Sequence, residues 1–438
     1  MSIIYALATP PAQSAICVFR VSGEGCLDAL SKLFNSELVE PRYFYKTEML
    51  NNGAFIDSVA VVFFKGPKSF TGEDSFEVYA HGGLAVMSKI VEVFDAIGFV
   101  EAQPGEFSKR AFLNNKISLS QAEAVSDLIS ASSKEEASKV SLVLGGDFES
   151  RVFDFSGQLD ALRVLVEGEI DFTDEDEVFI QNLAGLGADV SRLSAEFCSF
   201  AGACSSRKDG FNKPRVLIAG PPNSGKSSLF NSLLSRDRSI VSSIAGTTRD
   251  LIDSELVLQN IVLTLGDSAG VRDTDDLIEG AGINISFDEI KKSDLVILVF
   301  DEETESSVSF FRELLGEQKH LLVYNKIDVS DKRPLGFDLF VSAKEMDGLN
   351  ELRKVLDEML SVDESEDLTY LVRERHINIF SEVSSRLDFV SSSIEANESL
   401  DVVAENLKAC RDLLAEVVGI KTSDELLGEI FSSFCIGK

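Results

Sequence analysis

Four short motifs in a fixed order carry the chemistry of this chain. Gly220-Pro221-Pro222-Asn223-Ser224-Gly225-Lys226-Ser227 follows G-x-x-x-x-G-K-[ST]. In that pattern backbone N–H groups surround a polyphosphate, the lysine reaches the β- and γ-phosphates and the hydroxyl ligates Mg²⁺. Ser228 continues the same turn. Alone, the run is also compatible with a Gly-rich turn and a chance lysine. Asp267-Ser268-Ala269-Gly270 sets a carboxylate at a strand end, where it can hold Mg²⁺ through water. Asn325-Lys326-Ile327-Asp328 offers Asp328 as a buried acceptor for the N1–H and 2-amino group of guanine, a donor pair adenine lacks. A site of that kind rejects ATP by leaving a polar group unpaired. Ser342-Ala343-Lys344 comes in the right chain order to complete the base pocket. Together these motifs point to GTP.

Cleaving the γ-phosphate requires an oriented water. Ras-like GTPases use a glutamine directly after the DxxG motif, but Val271 stands there and its side chain forms no hydrogen bond. Another group must serve. Between the phosphate loop and Asp267 lies Ala245-Gly246-Thr247-Thr248-Arg249-Asp250. Its Thr248 is suited to coordinate Mg²⁺ when nucleotide orders the loop; an ordinary turn threonine is the alternative.

The elements that must hold these motifs read as an α/β sheet. From Pro214, apolar strands at Arg215 to Ala219, Leu295 to Phe300, Leu321 to Tyr324 and Leu339 to Val341 alternate with helical segments, and a hairpin is expected at Glu255 to Leu258 and Ile261 to Leu265. Residues 1 to about 117 mix β-rich runs (Ile16 to Val21, Val59 to Phe64, Ser75 to Ala80) with a helix near Ala85 to Phe94, an α+β pattern. Ser120 to Glu123 reads as an S-x-x-E capping box opening a long helical stretch, with Ala122, Val125 and Ile129 on one face, that runs to about Ser206. The acidic run Ile170 to Glu177 interrupts it as a solvated turn. After the acidic linker Asp363 to Asp367, Leu387, Ile394, Val403, Leu407 and Leu414 repeat at helical spacing. The two helical stretches are expected to pack together around the inserted nucleotide domain. The expected fold is thus multidomain α/β: an α+β domain over 1–117, a helical domain over 118–212, a G domain over 213–362 and the second helical part over 363–438.

Composition sets outer limits. At 438 residues, with 44% hydrophobic and 26% charged residues, the chain is globular and too long for one core. The start lacks a basic leader and reads as strand-forming, so a cytosolic placement is expected. Six cysteines without a CxxC pair and three histidines suggest neither a disulfide framework nor a zinc site. A formal net charge of −32 opposes any global attraction to nucleic acid, so a partner or local patch would have to hold RNA.

The motifs GPPNSGKSS, AGTTRD, DSAG and NKID, the segments SFTGED, HGG and PGEFSKRAFLNNKISLSQAEA, and the terminal Cys435-Ile436-Gly437-Lys438 together resemble the MnmE (TrmE) family of tRNA wobble-uridine modification GTPases over essentially the full length. The resemblance implies a potassium-activated GTPase whose Ras-like G domains dimerise across the nucleotide. It implies potassium ligands at Asn223, Ser242, Ile244 and Thr247, with Ser243, Ala245 and Gly246 in the same nucleotide-binding loop, and Glu279 as the residue that orients water. Without the family, Glu279 reads equally well as a solvated acid. The family's first domain resembles folate-binding domains and forms a constitutive homodimer. That implies a 5,10-methylene- or 5-formyl-tetrahydrofolate donor held by Arg20, Glu77, Lys116 and Lys438, residues that would otherwise pass as surface charges. Cys435 is kept as a folate-pocket residue, with a small buried thiol as its alternative. An FAD-containing partner, MnmG (GidA), and tRNA reached through that complex complete the implication. Departures are small: DSAG for the usual DTAG, and Pro221 and Ser224 where the family commonly has Arg and Ala. Two other readings are a ribosome-assembly GTPase of the Era type, which predicts a basic RNA-binding appendage, and a folate carrier with a merely regulatory G domain.

Overall fold

The computed structural model describes residues 2–36, 38–171, 180–207, 213–235, 253–267, 287–330, 332–360, 369–396, 398–421, 423–434 and 436–437. The chain forms two compact units: one comprises Met1–Ser130, Lys139–Lys208 and Asp367–Lys438, the other Ala131–Ser138 and Asp209–Glu366. The acidic stretches at 172–179 and 361–368 lie outside the described residues.

The first unit opens with β1 (Ile4–Leu7), β2 (Ile16–Ser22), α1 (Leu30–Leu33), β3 (Tyr45–Asn51), β4 (Ala54–Phe64), β5 (Ser75–His81), α2 (Leu84–Ala96) and β6 (Val100–Glu101). These strands make one sheet in the order β3-β4-β5-β2-β1-β6, antiparallel except for β1 against β6. Alternation explains its two faces. Phe76, Val78 and Ala80 of β5 are buried with Ile90 and Phe94 of α2, while Glu77, Tyr79 and His81 point the other way. The strand β3 carried no sequence signal; Lys46, Glu48 and Asn51 disguise it.

Then come α3 (Glu106–Leu113), α4 (Leu119–Ser130), α5 (Lys134–Leu144), α6 (Asp147–Asp171), α7 (Ile180–Gly202) and β7 (Cys204–Arg207). Ser118, not Ser120, caps α4: Gln121 N–H donates to Ser118 Oγ at 3.2 Å and Ser118 N–H donates back to Gln121 Oε1 at 3.0 Å. This is a capping box built with a glutamine. The inward face of α4 also differs from the expected one, since Ile129 is 47% exposed whereas Glu123 and Asp127 are buried.

The second unit contains β8 (Arg215–Ala219), α8 (Lys226–Ser235), β9 (Asp253–Val257), β10 (Val262–Asp267), α9 (Phe287–Lys292), β11 (Leu295–Phe300), α10 (Val308–Leu315), β12 (His320–Tyr324), β13 (Leu339–Phe340) and α11 (Leu349–Leu360). Its sheet runs β13-β12-β11-β8-β10-β9, parallel but for the edge strand β9. Every residue of β11 is buried, as a parallel strand covered on both faces requires. Val216, Ile218 and Leu263 pack with Leu229 and Leu352 on one side; Leu217, Val296 and Leu298 pack with Ile290 and Phe311 on the other. The segment at 131–138 joins this unit: Val262 N–H donates to Ser132 O at 2.7 Å and Lys134 N–H to Asn260 O at 3.1 Å.

The chain closes in the first unit with β14 (Tyr370–Arg373), α12 (Glu374–Glu395), α13 (Leu400–Val418) and α14 (Asp424–Ser432). β14 pairs with β7 in parallel. Phe155 and Leu159 of α6, Val190 and Phe197 of α7, Phe380 and Leu387 of α12, and Leu407 and Leu414 of α13 share one core. The two helical stretches therefore do pack together. Among the described residues no helix is long and apolar enough to cross a membrane.

Candidate functional site

Three loops of the second unit meet at strand C-termini, where ligands of open α/β sheets bind. The phosphate loop leaves β8 and runs into α8, whose first residue is Lys226. Gly225 is required there: its φ is +94°, and a Cβ would fall 2.2 Å from Asn325 Nδ2. Ser224 is fully buried, with its hydroxyl donating to Pro221 O at 3.0 Å. Lys226 Nζ donates to Pro221 O at 2.8 Å, while Ser227 and Ser228 are exposed on the first turn of α8. A helix N-terminus with a lysine and a hydroxyl at its mouth is suited to phosphate and Mg²⁺.

Asn325, only 2% exposed, staples this loop to the others. Its Nδ2 donates to Ser224 O at 2.9 Å and its Oδ1 accepts from Ala343 N–H at 3.1 Å. Lys326 Nζ donates to Asn223 O at 2.7 Å. Ser342 Oγ donates to Asp328 Oδ1 at 2.7 Å and accepts from Glu345 N–H at 3.1 Å. Asp328 is exposed, not buried as its sequence context implied, because it follows the strand end by four residues and stands on the loop. The Ser342 hydroxyl beside it holds its carboxyl below the usual range. Lys344 is exposed and lies 3.3 Å from Glu345. The structure thus brings together Gly220, Asn223 to Ser228, Asn325, Lys326, Asp328 and Ser342 to Lys344. Asp267 ends β10. Ser242 to Thr248, Ser268 to Gly270, Val271 and Glu279 lie outside the described residues.

In the first unit Arg20 and Glu77 face each other across β2 and β5, with Nε to Oε1 at 3.1 Å. Tyr79 donates to the other Glu77 oxygen at 2.7 Å. Arg20 and Glu77 line a cavity of about 150 Å³ with Arg42, Phe70, Thr71 and Phe107, and the Arg20 guanidinium lies 5.5 Å from the Phe70 ring centre and 5.9 Å from that of Phe107. The Lys116 stem packs on Gly72, where a Cβ would sit 3.3 Å from Lys116 Cε. Gly437 rests on β1, where a Cβ would sit 3.5 Å from the Ala6 Cβ, and Ala6 is the register partner of Arg20. Cys435 and Lys438 lie outside the described residues. Tyr79, Phe70 and Phe107 were not singled out from the sequence, although the last two sit within SFTGED and PGEFSKR.

Residues 119–435 match the model of the MnmE helical domain, and residues 3–116 that of the N-terminus of the GTP-binding protein TrmE. The chain belongs to the MnmE family. A tRNA modification GTPase MnmE of Legionella pneumophila (strain Corby) is 38% identical over 99% of both chains. Those of Bordetella avium (strain 197N) and Francisella philomiragia subsp. philomiragia are 38% and 34% identical, again over 99% of both. Among solved structures, the G domain of the T. maritima FeoB iron transporter is 29% identical, covering 33% of this chain and 97% of its own, with a TM-score of 0.26. The chain is a GTPase with the multidomain α/β layout of its family.

Proposed function

We propose that this chain is the GTP-hydrolysing component of a tRNA wobble-uridine modification complex that forms 5-carboxymethylaminomethyluridine. The observation that carries the reading is the full-length match to relatives named tRNA modification GTPase MnmE, together with a guanine-reading loop stapled to a phosphate loop.

In this reading the domains divide at 117/118, 212/213 and 362/363, and the chain works in the cytoplasm as a homodimer through its first domain. Lys226 neutralises the β- and γ-phosphates and Ser227 with Thr248 holds Mg²⁺, whose bound form supplies charge stabilisation in phosphoryl transfer. Asp328 selects guanine. Val271 leaves the water-orienting task to Glu279. Asn223, Ser242, Ile244 and Thr247 hold K⁺, which supplies positive charge beside the phosphates. The exposed Asn223, at φ 64° on the phosphate loop, fits that place. Association and dissociation of paired G domains then drive the complex, in which an FAD-containing partner, MnmG, and NADH carry the redox work.

The cavity at Arg20 and Glu77 supports a tetrahydrofolate donor by its chemistry. Phe70 and Phe107 line it, Glu77 would accept from a pterin edge, and Arg20 and Lys116 would meet an anionic tail. An Era-type reading finds no support, because α12 to α14 pack into the first unit instead of presenting a basic appendage.

The test is GTP turnover by the purified chain in KCl against NaCl at equal ionic strength. Potassium should accelerate turnover strongly, and Asn223→Ala should abolish the difference. Equal, slow rates in both salts would remove potassium, Asn223 and Glu279 from the mechanism.

A further inference from the structure

Asp301 belongs to none of the motifs above, yet it is 3% exposed at the end of β11 and its carboxylate is engaged on both oxygens. Oδ1 accepts from Thr304 N–H at 3.1 Å and from the Thr304 hydroxyl at 2.7 Å; Oδ2 accepts from Lys326 Nζ at 2.5 Å. Burial pushes the Asp301 carboxyl up, but the Lys326 and Thr304 hydrogen bonds outweigh it and hold it below its ordinary value, so it is ionised at neutral pH. The same Lys326 ammonium donates to the Asn223 carbonyl of the phosphate loop.

Three observations make this more than a structural ion pair. Lys326 and Asn223 both stand at φ 64°, a left-handed conformation that a residue other than glycine keeps only where its surroundings over-determine it. Lys326 lies two residues before the guanine-reading Asp328 and next to Asn325, so its placement sets the register of the base loop. Its stem is long and flexible, with 41% of the side chain exposed, and only a short charge-assisted bond to a fixed partner gives it one position. That fixed partner is Asp301, held in turn by Thr304.

We propose that Asp301 is a positioning residue for guanine-nucleotide binding: its buried carboxylate fixes Lys326 on the Asn223 carbonyl and so locks the base-reading loop to the phosphate loop. This concerns the GTPase site alone and stands whether or not the chain acts on tRNA.

The test is a double-mutant cycle on the full chain, read by titration with a fluorescent N-methylanthraniloyl derivative of GDP. Asp301→Asn should weaken binding by about tenfold, the order expected for losing one charge-assisted bond on a partly exposed lysine. In a Lys326→Met background the same substitution should change affinity by less than about twofold, since the effect runs through the lysine. Thr304→Val, which removes one of the two Thr304 bonds to Asp301 Oδ1 but keeps the Asp301–Lys326 bond, should weaken binding less than Asp301→Asn does. Wild-type affinity in Asp301→Asn, or the same loss with and without Lys326, would overturn the proposal and leave Asp301 as a local turn anchor. If Asp301→Asn does not fold, Asp301→Glu, which keeps the charge but shifts it by one methylene, is read through the same cycle with the same two outcomes. A wild-type chain that bound no guanine nucleotide would sink the site itself.

Discussion

On the proposed reading, nucleotide identity turns on the Asp328 side chain. A carboxylate accepts two N–H donors of guanine, whereas an amide offers one oxygen and turns its NH₂ toward a donor. Asp328→Asn should therefore weaken binding of the same fluorescent GDP derivative by about a hundredfold or more, with little change in thermal stability, because the group is exposed. Its neighbours differ in how plainly they can be read. Asn325 and Asp328 sit in a four-residue motif after an apolar strand, so type and place are both visible in the sequence. Asp301 is not, because in Phe300-Asp301-Glu302-Glu303-Thr304 it looks like one more solvated acid. Only the fold shows that Lys326, 25 positions on, ends at its carboxylate.

The elements were legible wherever one period dominated. β8 and β11 match their expected bounds because a doubly covered parallel strand is an unbroken apolar run. The inward face of α4 is not legible in the sequence, because two acids at helical spacing look like a solvent face while their partners lie some 250 residues away. Arg375 makes two bonds to Glu123, at 3.0 and 2.9 Å, and Arg373 reaches Asp127 at 2.7 Å. Arg375→Met would remove the guanidinium bonded to both oxygens of the buried Glu123 and should lower unfolding free energy by about 3 kcal/mol in urea; adding Glu123→Gln should recover part of it.

The same cluster gives a pH dependence. Burial holds the His376 imidazole well below its ordinary 6.5, and Arg375 and Arg373 push the same way. It lies against the Phe148 ring with Nε2 3.4 Å from Glu123 Oε2, and neither ring nitrogen is hydrogen-bonded. Below about pH 6.5 the unfolded chain takes up a proton that the folded chain refuses, so stability falls as pH drops, by at most about 1.4 kcal/mol per unit. Glu123 runs oppositely: burial raises its carboxyl despite Arg375, so the folded chain binds that proton first as pH falls. His376→Phe should thus flatten the loss between about pH 6.5 and 5.5 in urea titrations; an unchanged slope would show that His376 does not set it.

At the scale of the whole molecule, charge decides what the chain can do alone. With 73 acidic against 41 basic residues its net field repels a polyanion that comes within about a Debye length, roughly 10 Å at 0.1 M salt, and only a local basic patch would reverse that. Ordinary nucleic-acid binders reach non-specific dissociation constants of about 10⁻⁴ to 10⁻⁶ M by releasing counterions from phosphates. This chain should sit at the weak end of that range or beyond it, and its affinity should fall little between about 50 and 200 mM KCl, because few counterions would be released. Fluorescence anisotropy with labelled tRNA at the two salt concentrations checks both points. A submicromolar constant with a steep salt slope would mean that the chain carries its own phosphate-binding surface and would weaken the assignment of tRNA contact to a partner. Weak, salt-insensitive binding would assign that contact to the partner and leave this chain the GTP-driven switching.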